Sequence, residues 1–355
     1  MTALPEDMLS VEAALESAGL SSPLNVTRIG EHRGFTSRCY IVGYGQHHLV
    51  AKVTSSEHIH PKAVRETDIL KRFRGPAHLP APNYIGAQVC NQSGDHVLLM
   101  NAICGDEVDT MALDSHQTLQ QALQRMVPCW DTPIQDLPES QYLSRWGAGT
   151  QSHSHPHARR VRRFKKHASA FVDNYSKHES SAPEIPCVIR WMCEHFERCL
   201  DVSAQWPLAM IHGDLHPENI IVGNQDITIL DWQTASFGSP LFDISRLLMD
   251  AAPTLTADEF IKWTHTTLSQ CTQYIQQDDT TLNATSAGIA AVVGYAGFVS
   301  GWGGKKTSSL SPREHLLVKH HASIDGPTRL IKECISKIES SNQWKPNDGN
   351  RLGSK

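Results

Sequence analysis

The stretch Ile211-His212-Gly213-Asp214-Leu215-His216-Pro217-Glu218-Asn219-Ile220, followed by Ile229-Leu230-Asp231-Trp232, decides the fold of this 355-residue chain. Three residues such as His-Gly-Asp recur by chance in many sequences, but the full run does not. It sets an asparagine five residues after the first aspartate and a second aspartate twelve residues after that. A phosphoryl-transfer site needs this spacing. One carboxylate accepts a hydroxyl proton, while an amide oxygen and a second carboxylate hold Mg²⁺ on ATP.

Local geometry agrees with the motif. Pro217 keeps the loop that carries Asp214 and Asn219 from becoming helical. Ile220-Ile221-Val222 and Ile227-Thr228-Ile229-Leu230 read as two short β-branched strands, and Gly223-Asn224-Gln225-Asp226 between them is turn chemistry, so the two runs make a hairpin. The hairpin folds Asp231 back beside Asn219, where both can reach one cation through oxygen, the ligand type Mg²⁺ prefers. An ordinary surface hairpin explains neither the spacing nor the residues before it.

At this point the chain resembles the aminoglycoside phosphotransferase and choline kinase-like family, the small-molecule branch of the protein-kinase fold. The residues that carry the resemblance are His212 to Asn219, Leu230-Asp231-Trp232, and Gly238-Ser239-Pro240-Leu241-Phe242-Asp243. It covers roughly residues 25 to 340 and is most specific between 211 and 246. It implies that Asp214 is the catalytic base, that Asn219 and Asp231 bind metal, and that Asp243 braces the catalytic loop from the next helix. The implied fold is α+β and bilobal, with a small N-lobe of antiparallel sheet and one helix and a larger, mainly helical C-lobe. The expected division is an ATP-binding lobe at 1–101 with an N-terminal helix, a catalytic and acceptor-binding lobe at 102–345 with a basic helical insertion about 150–180, and a disordered tail at 346–355.

The N-terminal half supplies matching pieces. Residues 34–42 and 49–53 look like two strands flanking a turn at Gly43-Tyr44-Gly45. Gly34 lets backbone approach a polyphosphate closely, while Thr36 and Ser37 can donate to its oxygens. An ammonium at the end of a Val-rich strand is ordinarily a snorkelling surface residue. Lys52, however, is followed fourteen residues later by Glu66 on a helix, which matches the lysine–glutamate pair that positions the α and β phosphates in kinases. That helix opens with Pro61, carries Val64, Ile69, Leu70 and Phe73 as an approximate apolar stripe, and ends at Gly75-Pro76. Leu79-Pro80-Ala81-Pro82 links it to the last N-lobe strands. Val97 to Met100 reads as the last buried strand and Asn101 to Gly105 as the hinge, where adenine would meet backbone atoms near Asn101 and Ile103. His216 stands where protein kinases carry a phosphate-contacting lysine, and it serves either the γ-phosphate or loop packing.

Composition limits the alternatives. Hydrophobic content of 40% with 19% charged residues is globular, and a net charge of −5 argues against a general nucleic-acid partner. Nine cysteines without a CxxC spacing fit reduced cytoplasmic thiols rather than disulfides or a zinc site. The first residues lack the basic and apolar regions of a signal peptide. Residues 280 to 304 carry no charge and are long enough to cross a bilayer, but they are rich in Gly, Ala, Ser and Thr. A buried helix at about Ala287 to Ser300 is expected there, not a membrane span.

The acceptor is the open part of the reading. Only eleven residues separate Asp231 from Asp243, too few for the peptide platform of a protein kinase, so the expected acceptor is a hydroxyl of a small molecule: an antibiotic, natural product or metabolite. Resistance, biosynthetic and primary-metabolic roles all stay open. Arg159-Arg160, Arg162-Arg163 and Lys165-Lys166 flank an amphipathic helix marked by Val161, Phe164, Ala168, Phe171 and Tyr175. This basic segment is either a solvated face or a substrate-side helix that attracts an anionic group. Gln233 stands where choline- and thiamine-type relatives often carry a glutamate, which weakens a cationic acceptor without excluding it, and the basic helix tilts the reading towards a neutral or anionic compound. Trp130, Tyr142, Trp146, Trp191 and Trp302 are candidate pocket walls as a set, and core packing taken singly. A nucleotide-binding scaffold and an atypical protein kinase remain as alternatives.

Overall fold

Strands rich in β-branched and other apolar residues build the first sheet, with a continuous buried run at Val97 to Met100. In the computed structural model the described residues are 7–20, 25–29, 37–44, 47–56, 61–72, 79–108, 115–132, 158–175, 184–203, 206–223, 226–250, 255–271, 284–302, 322–341 and 344. Strands β1 (Asn25–Ile29), β2 (Ser37–Tyr44), β3 (His47–Thr54), β4 (Tyr84–Val89) and β5 (His96–Asn101) form an antiparallel sheet in the order β1-β2-β3-β5-β4. One face buries Tyr40 and Val42 of β2, Leu49, Ala51 and Val53 of β3, and Val97 and Leu99 of β5. They pack against Val11, Ala14 and Leu15 of the N-terminal helix α1 (Met8–Ser17). Because side chains alternate along a strand, the other face carries Cys39, Lys52 and Leu98, which lie side by side in register. A helix serves each face: α1 on the first, and α2 (Pro61–Arg72) reaching the second through Glu66.

A buried carboxylate pins α1 to the sheet. Asp7, just before the helix, accepts from Arg38 Nε at 2.5 Å, Arg38 Nη2 at 2.6 Å and the Tyr40 hydroxyl at 2.6 Å. Burial and the bond to Asp7 push the Tyr40 phenol up to about 12. In α2 the expected stripe is only partly realised. Ile69 and Leu70 are buried, but Val64 is exposed, and Glu66 and Thr67 take inward positions. Phe73, Gly75 and Pro76 lie outside the described residues.

By its contacts the chain divides into two compact units, Met1–Val108 with Glu218–Ala235, and Asp109–Pro217 with Ser236–Lys355. The later segment belongs to the first unit because strand β8 (Ile220–Val222) pairs with β6 (Asp106–Glu107) and with β9 (Ile227–Ile229). The Ile229 N–H also donates to the Pro80 carbonyl at 2.5 Å. Gly105 makes room for this pairing, since a Cβ there would sit 2.3 Å from the Val222 carbonyl oxygen.

The second unit is mainly helical: α3 (Ser115–Trp130), α4 (Ala158–Tyr175), α5 (Ile185–Ser203), α6 (Pro240–Asp250), α7 (Ala257–Leu268), α8 (Ala284–Trp302) and α9 (Ala322–Ser340), with the short antiparallel pair β7 (Ala209–Ile211) and β10 (Ser236–Gly238). Val161, Phe164, Ala168 and Phe171 of α4 are buried while Arg162, Arg163, Lys165 and Lys166 face solvent, as the spacing predicts. The uncharged run folds as α8, starting three residues before and ending two after its expected bounds. Ile289, Ala290, Val292, Val293, Tyr295 and Val299 are all buried, the pattern of a helix that is apolar all round and surrounded by protein. Among the described residues no helix is long and apolar enough to cross a membrane.

Candidate active site

Strand β7 delivers the chain into His212-Gly213-Asp214, and one buried carboxylate holds that loop in place. Asp243, in the first turn of α6, accepts from the His212 N–H (Oδ2, 2.7 Å), the Gly213 N–H (Oδ1, 2.9 Å) and the Trp130 indole N–H (Oδ2, 3.3 Å). Burial pushes the Asp243 carboxyl up, and the N–H groups of Gly213, His212 and Trp130 that bond to it pull it back. Two loop N–H groups that would otherwise be buried without partners are thereby satisfied. Gly213 adopts φ +79°, a left-handed conformation that glycine reaches without steric cost. The next residue, Asp214, donates its N–H to His212 Nδ1 at 3.3 Å. Its side chain is 45% exposed and lies 3.6 Å from Arg246 Nε on α6.

A single 3₁₀ turn, Pro217–Asn219, precedes β8. The loop is therefore not devoid of helical backbone; proline keeps it to one turn, where its missing N–H costs nothing. The Leu230 N–H donates to the Asn219 carbonyl at 2.7 Å, which draws the end of the hairpin back to buried Asn219. Asp231 then takes φ +61° and ψ +57°, and among the described residues it is the one non-glycine with positive φ. Trp232 anchors this bend, fully buried, with its indole N–H donating to the Ile229 carbonyl at 2.8 Å.

The bend turns the Asp231 carboxylate onto Lys52. Lys52 Nζ lies 2.6 Å from Asp231 Oδ1 and 2.7 Å from Glu66 Oε2, so three segments of sequence converge on one ammonium. Burial alone would lower the pKa of the lysine, but the charges of Glu66 and Asp231 outweigh it and raise it above the ordinary value. Gln233 Nε2 donates to the other oxygen, Asp231 Oδ2, at 2.9 Å. The oxygens of Asn219 and Asp231 are hard donors of the kind Mg²⁺ takes, and such ions are commonly held by one or two protein groups with substrate phosphates completing the shell. Among the described residues no cluster of three or more His, Cys, Asp or Glu side chains forms an all-protein metal site. The oxygen donors of Asn219 and Asp231 are of a type that fits Mg²⁺.

The remaining expected residues fall in different places. Gly34 and Thr36 lie outside the described residues. Ser37 shares a hydrogen bond with the Thr54 hydroxyl at 2.8 Å, so its hydroxyl is engaged within the sheet. The Asn101 N–H donates to the Asn83 carbonyl at 3.1 Å and its side-chain oxygen accepts from the Asn83 N–H; the Asn101 carboxamide thus helps join β5 to the chain before β4. Ile103, in the segment after β5, and His216 are half-buried. Trp130 is no pocket wall: it is buried and serves Asp243. Trp191 stacks on Trp344 at 5.9 Å between ring centroids, so it packs the C-terminal segment against α5. Tyr142, Trp146, the Trp302 side chain and the tail beyond Trp344 lie outside the described residues. Sequence reading missed the contacts of Gln233 and Arg246. Their positions, two residues after Asp231 and three after Asp243, were the available signal.

The profile of the phosphotransferase enzyme family matches residues 29–271, more than half of the chain. No curated protein matches the sequence. Among solved structures, the chain is similar to a protein of Ralstonia eutropha assigned to the aminoglycoside phosphotransferases, at TM-score 0.57 and 13% identity over 91% of this chain and 98% of that one. It is also similar to a spectinomycin phosphotransferase in complex with ADP and spectinomycin, at TM-score 0.55 and 12% identity over 95% and 99%. A microcompartment-associated aminopropanol kinase gives TM-score 0.54 and 15% identity over 93% and 98%. At these identities the likeness is one of fold, the α+β protein-kinase-like fold. With the profile match, it establishes that the chain belongs to the phosphotransferase enzyme family.

Proposed function

We propose that the protein transfers the γ-phosphate of ATP to a hydroxyl of a small molecule. The observation that carries this reading is the double ion pair of Lys52 with Glu66 and Asp231, at 2.7 and 2.6 Å. An ammonium held between two carboxylates is oriented to meet phosphate oxygens. Solved structures of similar fold include a kinase and a phosphotransferase with ADP bound, which supports a nucleotide as donor.

In the proposed reaction Lys52, aimed by Glu66, binds the non-transferred phosphates, while Gly34, Thr36 and the backbone near Asn101 and Ile103 contribute the rest of the nucleotide contacts. Asn219 and Asp231 would hold Mg²⁺, which when bound offsets negative charge on the phosphate oxygens. Gln233 fixes the Asp231 carboxylate through Oδ2. Asp214 orients the acceptor hydroxyl and takes its proton late, because a loose transition state demands little of a base. Asp243 holds the backbone that presents Asp214. His216, two residues after Asp214, serves either the transferred phosphate or the packing of the loop.

The test is an ADP-release screen on the purified protein with ATP and Mg²⁺ against hydroxylated antibiotics, amino alcohols, sugars, hydroxy acids and nucleosides. Asp214→Ala serves as the blank, and it should lower kcat by about 10³-fold or more with little change in ATP affinity. ATP binding without turnover on any acceptor would favour a scaffold, and phosphate appearing on polypeptide would favour a protein kinase.

A further inference from the structure

The cation beside Asp214 bears on what the acceptor is. Arg246 follows Asp243 by three residues on α6, and residues so spaced share a helix face. With Asp243 turned to His212 and Gly213, Arg246 meets the next residue of the loop, Asp214, Nε to Oδ1 at 3.6 Å. Its side chain is 31% exposed and that of Asp214 45%. An ion pair so open to water contributes little to folding.

We propose that Arg246 reads a negatively charged group on the acceptor, so that the substrate is an anionic hydroxylated compound such as a hydroxy acid or a sugar phosphate, and not an amino alcohol or an aminoglycoside. This rests on Asp214 being the base. A hydroxyl accepted by Asp214 lies about 3 Å from its carboxylate, which brings substituents a few bonds away within reach of a guanidinium 3.6 Å from that carboxylate. A carboxylate or phosphate there meets the planar fork suited to it, whereas an ammonium meets a like charge in a partly desolvated place. An anionic acceptor also needs a counter-charge to approach ATP, and Arg246 supplies one. The transfer itself balances in the ordinary way. The acceptor oxygen bonds to the γ-phosphorus, the bond to the β-bridging oxygen breaks with its electron pair leaving on ADP, and the hydroxyl proton passes to Asp214 and then to solvent.

The experiment uses the full chain, radiolabelled ATP and three acceptor pools: hydroxy acids with sugar phosphates, neutral polyols, and amino alcohols with aminoglycosides. Wild type, Arg246→Gln, Arg246→Lys and Asp214→Ala are compared. The expected result is transfer to members of the anionic pool. For such an acceptor Arg246→Gln should lower kcat/KM about 10- to 100-fold, mainly through acceptor KM, with KM for ATP unchanged and partial rescue by Lys. Transfer confined to neutral or cationic acceptors overturns the proposal while leaving the kinase reading intact. So does an anionic acceptor whose KM ignores Arg246→Gln. No transfer by wild type to any pool removes the reading of Asp214 and this inference together.

Discussion

The Lys52 ammonium gathers carboxylates from fourteen and 179 residues away in sequence. The Glu66 side chain is 3% exposed and that of Lys52 14%, so removing the cation strands a nearly buried negative charge beside a second one. Breaking such a pair from one side costs more than the pair contributes when intact. Lys52→Met is therefore expected to lose roughly 2–4 kcal/mol of stability as well as activity, while Lys52→Arg keeps the charge and loses the point geometry. Urea titrations of the three proteins check this; equal midpoints for wild type and Lys52→Met would mean that the bridge has no structural weight. At this scale the spacing of Lys52 and Glu66 in the sequence already foretells their approach. The bond from Gln233 to Asp231 is not foretold, because it depends on the left-handed turn at Asp231, which no local pattern announces.

Helices show where periodicity informs and where it falls silent. The apolar residues of α4 point to a buried stripe, and Val161, Phe164, Ala168 and Phe171 fill it. The stripe of α2 misleads at Val64, because that helix spends inward positions on Glu66 and Thr67. For α8 the lack of charge signals burial but not partners, which are set by small residues. A Cβ on Gly294 would lie 2.8 Å from Ser245 Oγ on α6, and one on Gly288 3.0 Å from Ile338 on α9. Valine at 294 gains a few tenths of a kcal/mol in helix propensity but overpacks the α6 contact, at a cost of about 1–3 kcal/mol. Overpacking wins, so Gly294→Val should lower the urea midpoint without changing the slope of the transition. A midpoint at or above wild type would show that α6 and α8 have room to separate.

Across the whole molecule the chain enters the first unit, leaves it after Val108, and returns for Glu218–Ala235. The return depends on β6 pairing with β8, a contact between two-residue and three-residue strands that no local spacing reveals. A fragment ending at 108 thus loses the partner of β6 and one of the two carboxylates on Lys52. Stability as a function of pH has an identifiable contributor in the same unit. His96 on β5 is buried, its Nε2 shares a hydrogen bond with Thr67 at 3.3 Å, and its Nδ1 has no partner among the described residues. Burial lowers its pKa below the ordinary 6.5, so on acidification the unfolded chain takes up this proton before the folded one does. The contribution is whole above pH 6.5 and is lost progressively below it. Thermal unfolding of wild type should therefore weaken between pH 7.5 and 5.5 more steeply than that of His96→Gln; parallel curves would assign the acid sensitivity elsewhere.

The left-handed backbone at Asp231 narrows the choice of a silent variant. Asparagine and aspartate visit that conformation far more readily than other side chains bearing a Cβ, so Asp231→Asn removes the charge and keeps the bend, whereas Asp231→Ala adds backbone strain to the loss. The alanine protein would confuse misfolding with inactivity. The asparagine protein is the better bait for fishing the unknown acceptor out of a cell extract, because it holds its shape while consuming nothing.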